Sequence, residues 1–151
     1  MLTSSPSYDG KSIVTEKIRR LSPNTHVRVY DGAVPCGPLG EVTADIDEYV
    51  KLPVSIFGDG DLYIVRTQGE SMIEAGIQPD DLVVVDRQKR PAVGDIIVAY
   101  AEGGSFLKRL AYDKVANRFY LHPENSNMED IYIAPGILET QGVARFVIKA
   151  L

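Results

Sequence analysis

Cysteine, histidine and tryptophan are nearly absent from this chain of 151 residues. It has one cysteine, Cys36, two histidines and no tryptophan. A single cysteine cannot close a disulfide within the chain, and together with His26 and His122 it does not give the ligand spacing of a zinc site. We therefore expect no internal disulfide, no metal site and no other cofactor.

Long apolar segments are also missing. The longest uninterrupted apolar run covers the six residues 96–101, whereas crossing a bilayer takes about 20 residues. The N-terminal stretch MLTSSPSYDGKSIVTEK has no basic start followed by an apolar segment, so it does not resemble a secretory signal. The sequence predicts a cytoplasmic protein without membrane contact.

Positive charge is in deficit. The chain has 16 lysines and arginines against 21 aspartates and glutamates, which gives a formal net charge of -5. Because nucleic-acid binding depends on lysine and arginine to neutralise phosphates, we expect no direct specific DNA binding. Any connection with DNA would have to run through a partner protein. The apolar fraction of 44% and the charged fraction of 25% are those of an ordinary globular domain.

The composition changes at about residue 44. Residues 1–44 are rich in serine, proline, glycine and charge, which is typical of a flexible N-terminal arm. Within this arm, residues 13–21 have near-helical apolar spacing, and residues 26–30 alternate like a strand.

Residues 45–151 carry short β-branched and aromatic runs separated by glycine, proline and aspartate. This pattern predicts a mainly β domain of short, mostly antiparallel strands with one or two helical turns. The runs lie at residues 61–67, 81–86, 94–101, 105–111, 117–123, 130–134 and 142–151. The last run contains the segment ARFVIKAL at 144–151, which is either an edge that pairs with a second copy or, the interpretation we favour, a buried strand of the same domain.

Ser71 stands in the sequence GESM at 69–72, between a predicted strand and a predicted helical turn that Gly76 ends. A strand-to-helix junction can expose a hydroxyl and direct free backbone N–H groups at a carbonyl oxygen, as an acyl-transfer nucleophile requires. The alternative is an ordinary helix N-cap serine. Neither histidine is an obvious partner, so a nucleophilic Ser71 needs a different base.

A neutral lysine can also activate a serine. Lys108 lies in the predicted strand SFLKRLA, where the period of two places its side chain on the same face as Phe106 and Leu110. On such an apolar face a lysine is desolvated and its pKa falls. The alternative is a lysine whose stem lies on the core while its ammonium group reaches water.

A third element lies in the arm, where small residues surround the Cys36-Gly37 bond in the sequence AVPCG at 33–37. Pro35 favours an extended approach, and Gly37 has no side chain to obstruct a nucleophile. The bond therefore resembles a protease substrate. An ordinary loop with a free or buried thiol is the alternative.

Together these three elements resemble the LexA/UmuD family of self-cleaving serine-lysine peptidases. The nucleophile motif is GESM at 69–72, and the base motif is FLKRL at 106–110. Segments 76–77, 80–86 and 94–97 follow the same pattern, and the resemblance covers about residues 28–151.

The resemblance implies a role for each candidate residue. Ser71 would be the nucleophile and Lys108 the general base, while the backbone N–H groups of Glu70 and Ser71 would hold the oxyanion. The bond between Cys36 and Gly37 would be cut. The implied fold is the β-rich peptidase domain of the family, at residues 45–151, preceded by the arm that carries the cleavage site.

The resemblance also implies regulated self-cleavage in the SOS response, stimulated by a RecA filament on single-stranded DNA. Repressors of the family carry a winged helix-turn-helix domain before the scissile bond, and the 36 residues before Gly37 are too few for one. We therefore expect the UmuD-like branch. Such a chain is a homodimeric accessory subunit of an error-prone translesion DNA polymerase, with a Y-family, UmuC-like polymerase subunit as its partner.

Other interpretations stay open. A non-enzymatic β domain could dimerise and bind a polymerase without proteolysis. The chain could also be the C-terminal fragment of a LexA-like repressor. Bacterial signal peptidase is a wider relative with similar motifs, but the missing membrane anchor argues against that interpretation.

Overall fold

The computed structural model describes residues 23–31, 48–101 and 104–151. The strands found there are β1 (Asn24–Asp31), β2 (Tyr49–Pro53), β3 (Leu62–Arg66), β4 (Leu82–Asp86), β5 (Ile96–Ala101), β6 (Gly104–Asp113), β7 (Arg118–His122), β8 (Ile131–Tyr132) and β9 (Glu139–Ile148). A four-residue helix, α1 (Val54–Phe57), follows β2. A short 3-10 helix (Ile73–Ala75) follows β3.

Within the described residues, these strands form one nine-stranded sheet in the order β2-β1-β3-β4-β9-β5-β6-β7-β8. Only the β1–β3 pair is parallel among these neighbours, and the others are antiparallel. The predicted fold class, mainly β with mostly antiparallel strands, is confirmed. In this part of the chain, no helix has the length and apolar character needed to cross a bilayer.

Each strand predicted from residue 45 onward overlaps a strand of the sheet, and the alternating run at 26–30 lies within β1. Since β1 pairs with both β2 and β3, part of the segment assigned to the arm belongs to the sheet. A domain boundary near residue 44 stays a prediction. The helix expected at 13–21 and the Cys36-Gly37 bond lie outside the described residues.

The strands β3 and β4 are buried on both faces. On one face Leu62, Ile64 and Val84 pack into a cluster with β1 and β2. On the other face Tyr63 and Val65 belong to a second cluster with Met72 and Ile77, which come from the connection after β3. Burial on both faces explains why the first four residues of each strand, LYIV and LVVV, are continuously apolar instead of alternating.

The strand β9 is internal, since it pairs with β4 on one side and with β5 on the other. The C-terminal run is therefore not an edge of this sheet. The preferred interpretation of a buried strand is wrong, because alternate residues of β9 face outward and none of residues 144–151 is buried. A third apolar cluster lies beside it and includes Ile97, Leu110, Leu121 and Val143. This cluster anchors β6, the strand that carries Lys108.

Candidate active site

The connection between β3 and the 3-10 helix carries Ser71, which is half-buried. Thr67 anchors the start of this connection. Its N–H donates to the carbonyl of Asp81 at 2.9 Å, and its hydroxyl donates to the carbonyl of Gln78 at 2.6 Å. The connection before Ser71 is thus bonded to the segment that leads into β4.

A glycine ends the helical turn after Ser71, as the sequence predicted. Gly76 has φ of 85° in the left-handed region, and its N–H donates to the carbonyl of Ile73, an arrangement that favours glycine. The N-cap position of this helix is Met72, with no side-chain capping bond. Ser71 is therefore not the N-cap serine of the alternative interpretation.

Lys108 lies in the middle of β6 and is only 4% exposed. Its strand partner across the ladder is Ile97, which is fully buried, and its amine nitrogen lies 5.6 Å from the centre of the Phe106 ring. Burial lowers the pKa of the Lys108 amine below its ordinary value of 10.5. The structure thus contradicts the alternative of an ammonium group that reaches open water.

Ser71 and Lys108 line the same cavity, which has a volume of about 280 Å³. Its lining combines polar residues with the apolar side chains of Val65, Met72, Ile77, Val98 and Phe106. The connection after β3 and the strand β6 both contribute residues to this lining. Residues that are 37 positions apart in the sequence are therefore brought to one concave site. The expected substrate bond, Cys36-Gly37, is not among the described residues.

The backbone groups next to Ser71 differ in whether they already have hydrogen-bond partners. The carbonyl of Glu70 accepts two hydrogen bonds, from the side-chain amide of Asn125 at 2.9 Å and from the N–H of Ile73 at 3.3 Å. Among the described residues, the N–H groups of Glu70 and Ser71 donate to no recorded acceptor. The two N–H groups named as oxyanion donors from the sequence are thus not committed to the surrounding sheet.

Sequence analysis missed a loop at residues 123–128 that contacts the Ser71 turn. The carbonyl of Glu124 accepts from the N–H of Glu74 at 2.8 Å, and the Glu74 carboxylate accepts from the N–H of Ser126 at 2.7 Å. The Ser126 N–H bond is the largest cause of the lowered pKa of Glu74. The sequence PENSN indicates only a turn-rich loop, since no motif or periodicity signals what it contacts.

The same loop also contacts the strand that carries Lys108. Glu124 forms an ion pair with Arg109, the residue after Lys108, and Arg109 donates a further hydrogen bond to the carbonyl of Gly94 at 2.6 Å. The loop at 123–128 therefore connects the Ser71 turn with the strand that carries Lys108.

Lys149, near the end of the chain, makes a second contact with the region that follows the Ser71 turn. The Lys149 amine lies 2.7 Å from the Asp81 carboxylate and donates to the carbonyl of Gly76 at 2.7 Å. Lys149, followed by the N–H of Gln78, lowers the pKa of Asp81. This contact fixes the segment that follows the Ser71 turn to the end of β9.

Comparison with known proteins decides the family. Residues 28–145 match the family described as Peptidase S24-like, and this match covers most of the chain. The chain belongs to the Peptidase S24-like family. Membership in this family supports a self-cleaving serine peptidase in general, which is the class that the sequence predicted.

Relatives of this S24-like chain include proteins named LexA repressor. The protein from Desulforamulus reducens is 45% identical over 103 residues, which cover 63% of this chain and 47% of the relative. The Staphylococcus epidermidis protein is 39% identical over 125 residues, covering 80% and 60% of the two chains. The Staphylococcus aureus protein is 41% identical over 110 residues, covering 72% and 52%. The S24-like chain thus spans about half the length of these relatives.

Proposed function

We propose that this chain cleaves itself at the Cys36-Gly37 bond, with Ser71 as the nucleophile and Lys108 as the general base. The observation that carries the proposal is the shared cavity, which is lined by the half-buried Ser71 and the buried Lys108. A lysine serves as a base only in its neutral form, and burial on an apolar face favours that form.

The reaction follows from these groups. Neutral Lys108 accepts the proton of the Ser71 hydroxyl, and the Ser71 oxygen attacks the carbonyl carbon of Cys36. The N–H groups of Glu70 and Ser71 stabilise the oxyanion that forms. When the tetrahedral intermediate collapses, the bond to Gly37 breaks and Lys108 returns its proton to the leaving amine. Water then hydrolyses the ester on Ser71 and releases the carboxyl group of Cys36.

The biological role that we infer is regulatory self-cleavage of the LexA type, in the SOS response and stimulated by a RecA filament. Support comes from relatives named LexA repressor, which fit the repressor alternative better than the polymerase subunit. The UmuD-like role, with its UmuC-like partner, stays a prediction that these relatives do not support. Dimerisation and a cytoplasmic location are likewise proposals.

Intact mass spectrometry tests the proposed reaction. Purified chain is incubated at pH 10, where more of the lysine is neutral, and we expect fragments 1–36 and 37–151. Ser71→Ala and Lys108→Ala should remain intact. Ser55→Ala and Lys114→Ala alter an exposed serine and an exposed lysine and should be cleaved like the wild type.

Two results would overturn the proposal. Cleavage of Ser71→Ala at the wild-type rate would exclude Ser71 as the nucleophile. An intact wild-type chain at pH 10 would instead favour the non-enzymatic interaction domain. Fragments cut at another bond would keep the dyad but remove Cys36-Gly37 as the substrate.

A further inference from the structure

We infer that Asn125 is a positioning residue that fixes the direction of the Ser71 N–H, the group proposed to bind the oxyanion. The inference rests on the proposed self-cleavage. Asn125 belongs to the loop at 123–128 and lies 55 positions after Glu70 in the sequence. It is not one of the residues that line the cavity of Ser71 and Lys108.

The geometry of one peptide group carries the argument. The carbonyl of Glu70 and the N–H of Ser71 belong to the same planar trans peptide, so they point in opposite directions. Asn125 donates its side-chain amide to that carbonyl at 2.9 Å. A donor held on the carbonyl side therefore limits rotation of the whole peptide plane, and the Ser71 N–H on the other side keeps one direction.

Asn125 is itself held in place. The residue is only 7% exposed, and its side-chain oxygen accepts a hydrogen bond from the N–H of Asn127 at 3.0 Å. Since a backbone N–H can only donate, the side-chain oxygen of Asn125 must face it, and the NH₂ group must face Glu70. The N–H of Met128 also donates to the Asn125 carbonyl at 3.0 Å, which closes the loop into a turn.

The loop contacts both the Ser71 turn and the strand that carries Lys108, so Asn125 is held in a fixed position. Glu124 and Ser126 bond to Glu74 in the Ser71 turn. Glu124 also pairs with Arg109 beside Lys108. A donor that stabilises a developing oxyanion is effective when its direction is set before the reaction. By holding Asn125 in place, the loop sets the direction of the Ser71 N–H in advance.

Substitution of Asn125 tests the inference through the pH dependence of self-cleavage in the full chain. Asn125→Asp keeps the shape and the acceptor for Asn127 but removes the donor to Glu70, and Asn125→Ala removes both. We expect the plateau rate at high pH to fall between about 10- and 100-fold in both variants. The midpoint of the pH profile, which reports Lys108, should not move in Asn125→Ala, the variant that adds no charge.

Asn127→Ala is the matched control, because it changes an exposed asparagine of the same loop and keeps the backbone N–H that Asn125 accepts. It should cleave at the wild-type rate. Thermal unfolding of each variant shows whether it folds, and Asn125→Asp remains the decisive variant if Asn125→Ala does not.

The outcomes separate this inference from the proposed function. If the wild type cleaves and folded Asn125→Asp cleaves equally fast, Asn125 does not position the Ser71 N–H, and self-cleavage by Ser71 stands. A shifted pH midpoint in folded Asn125→Ala would also overturn the inference, since it would mean that the loop acts on Lys108. In Asn125→Asp the new carboxylate favours protonated Lys108 by its charge alone, so that variant is judged by its plateau rate. If the wild type does not cleave at all, the proposed function fails, and this inference fails with it.

Discussion

The charge state of Lys108, the proposed base, is governed by its burial. Desolvation lowers the pKa of its amine below 10.5, and in the proposed reaction the neutral form would accept the Ser71 proton. The self-cleavage rate should therefore rise with pH and reach half of its plateau below pH 10.5. Loss of intact chain, followed by mass spectrometry from pH 6 to pH 11, measures this profile.

The exposed Lys114 provides the comparison for that profile. Lys114→Ala should reproduce the wild-type curve, whereas Lys108→Arg should remain uncleaved across the range because a guanidinium group stays protonated. A wild-type rate that is flat between pH 7 and pH 10 would contradict the role of Lys108 as base.

The same burial should cost stability. Because the pKa of Lys108 is lower in the folded chain than in the unfolded chain, the destabilisation is full below the folded pKa and disappears as pH rises to the unfolded value. In a Ser71→Ala background, which keeps the chain intact, Lys108→Met should raise the free energy of unfolding at pH 7 by about 0.5–2 kcal/mol.

Urea unfolding at pH 7 and at pH 10 tests this stability effect. The gain from Lys108→Met should be smaller at pH 10, since the wild-type amine is then closer to neutral in both states. Equal unfolding midpoints at pH 7 would show that the buried amine carries no penalty, and a gain that is the same at both pH values would point to packing alone.

At the level of elements, the close approach of β9 to β4 depends on one glycine. Gly142 has φ of 144°, and a Cβ atom there would lie 2.5 Å from a methyl carbon of Val85 and 2.9 Å from the carbonyl oxygen of Asp86. Both neighbours belong to β4, so the central ladder would have to move apart. Gly142→Ala in the Ser71→Ala background should therefore lower the free energy of unfolding by roughly 1–3 kcal/mol.

Gly104 offers a matched comparison in β6, because a Cβ atom there meets only the Phe106 ring at 3.8 Å, an ordinary contact. Urea unfolding of Gly104→Ala should show a small change beside Gly142→Ala. If the two variants lost the same stability, the close approach of β9 and β4 would not be the cause.

Elements were predictable where burial left a pattern in the sequence. The apolar runs of β3 and β4 follow from burial on both faces, and the glycine after Ala75 marks the end of the 3-10 helix. The strand β2 was missed because it is short: of its five residues only Val50 and Leu52 pack against the core, between the exposed Tyr49 and Lys51. Two alternating apolar positions are too short a pattern to predict a strand.

The candidate site was predictable only in part. The motifs around Ser71 and Lys108 identified both residues through a family resemblance, and the alternation in β6 indicated the apolar face of Lys108. The contact between Asn125 and Glu70 was not predictable, because it depends on how the sheet places a loop against a distant turn. A single asparagine in a turn-rich loop has no pattern that separates it from Asn127.

At the level of the whole molecule, the charge balance argues against direct binding to nucleic acid. A chain with a net charge of -5 gains little from releasing counterions on a nucleic acid. We therefore expect this chain to show no binding to single-stranded DNA alone at about 0.15 M salt, the physiological ionic strength. Fluorescence anisotropy with a labelled oligonucleotide measures this, and saturable binding would contradict it.

Stimulation should instead require the RecA filament. A filament that binds the cleavage-competent conformation better than the resting one shifts the population toward it, and a tenfold faster reaction needs a preference of only about 1.4 kcal/mol. At pH 7 we expect at least about tenfold faster loss of intact chain with RecA, single-stranded DNA and a nonhydrolysable ATP analogue together. Single-stranded DNA alone should not change the rate, and Ser71→Ala should stay intact in every mixture. An unchanged wild-type rate with the complete filament would show that the competent state is not what RecA recognises, and regulation by this partner would then be excluded for the chain.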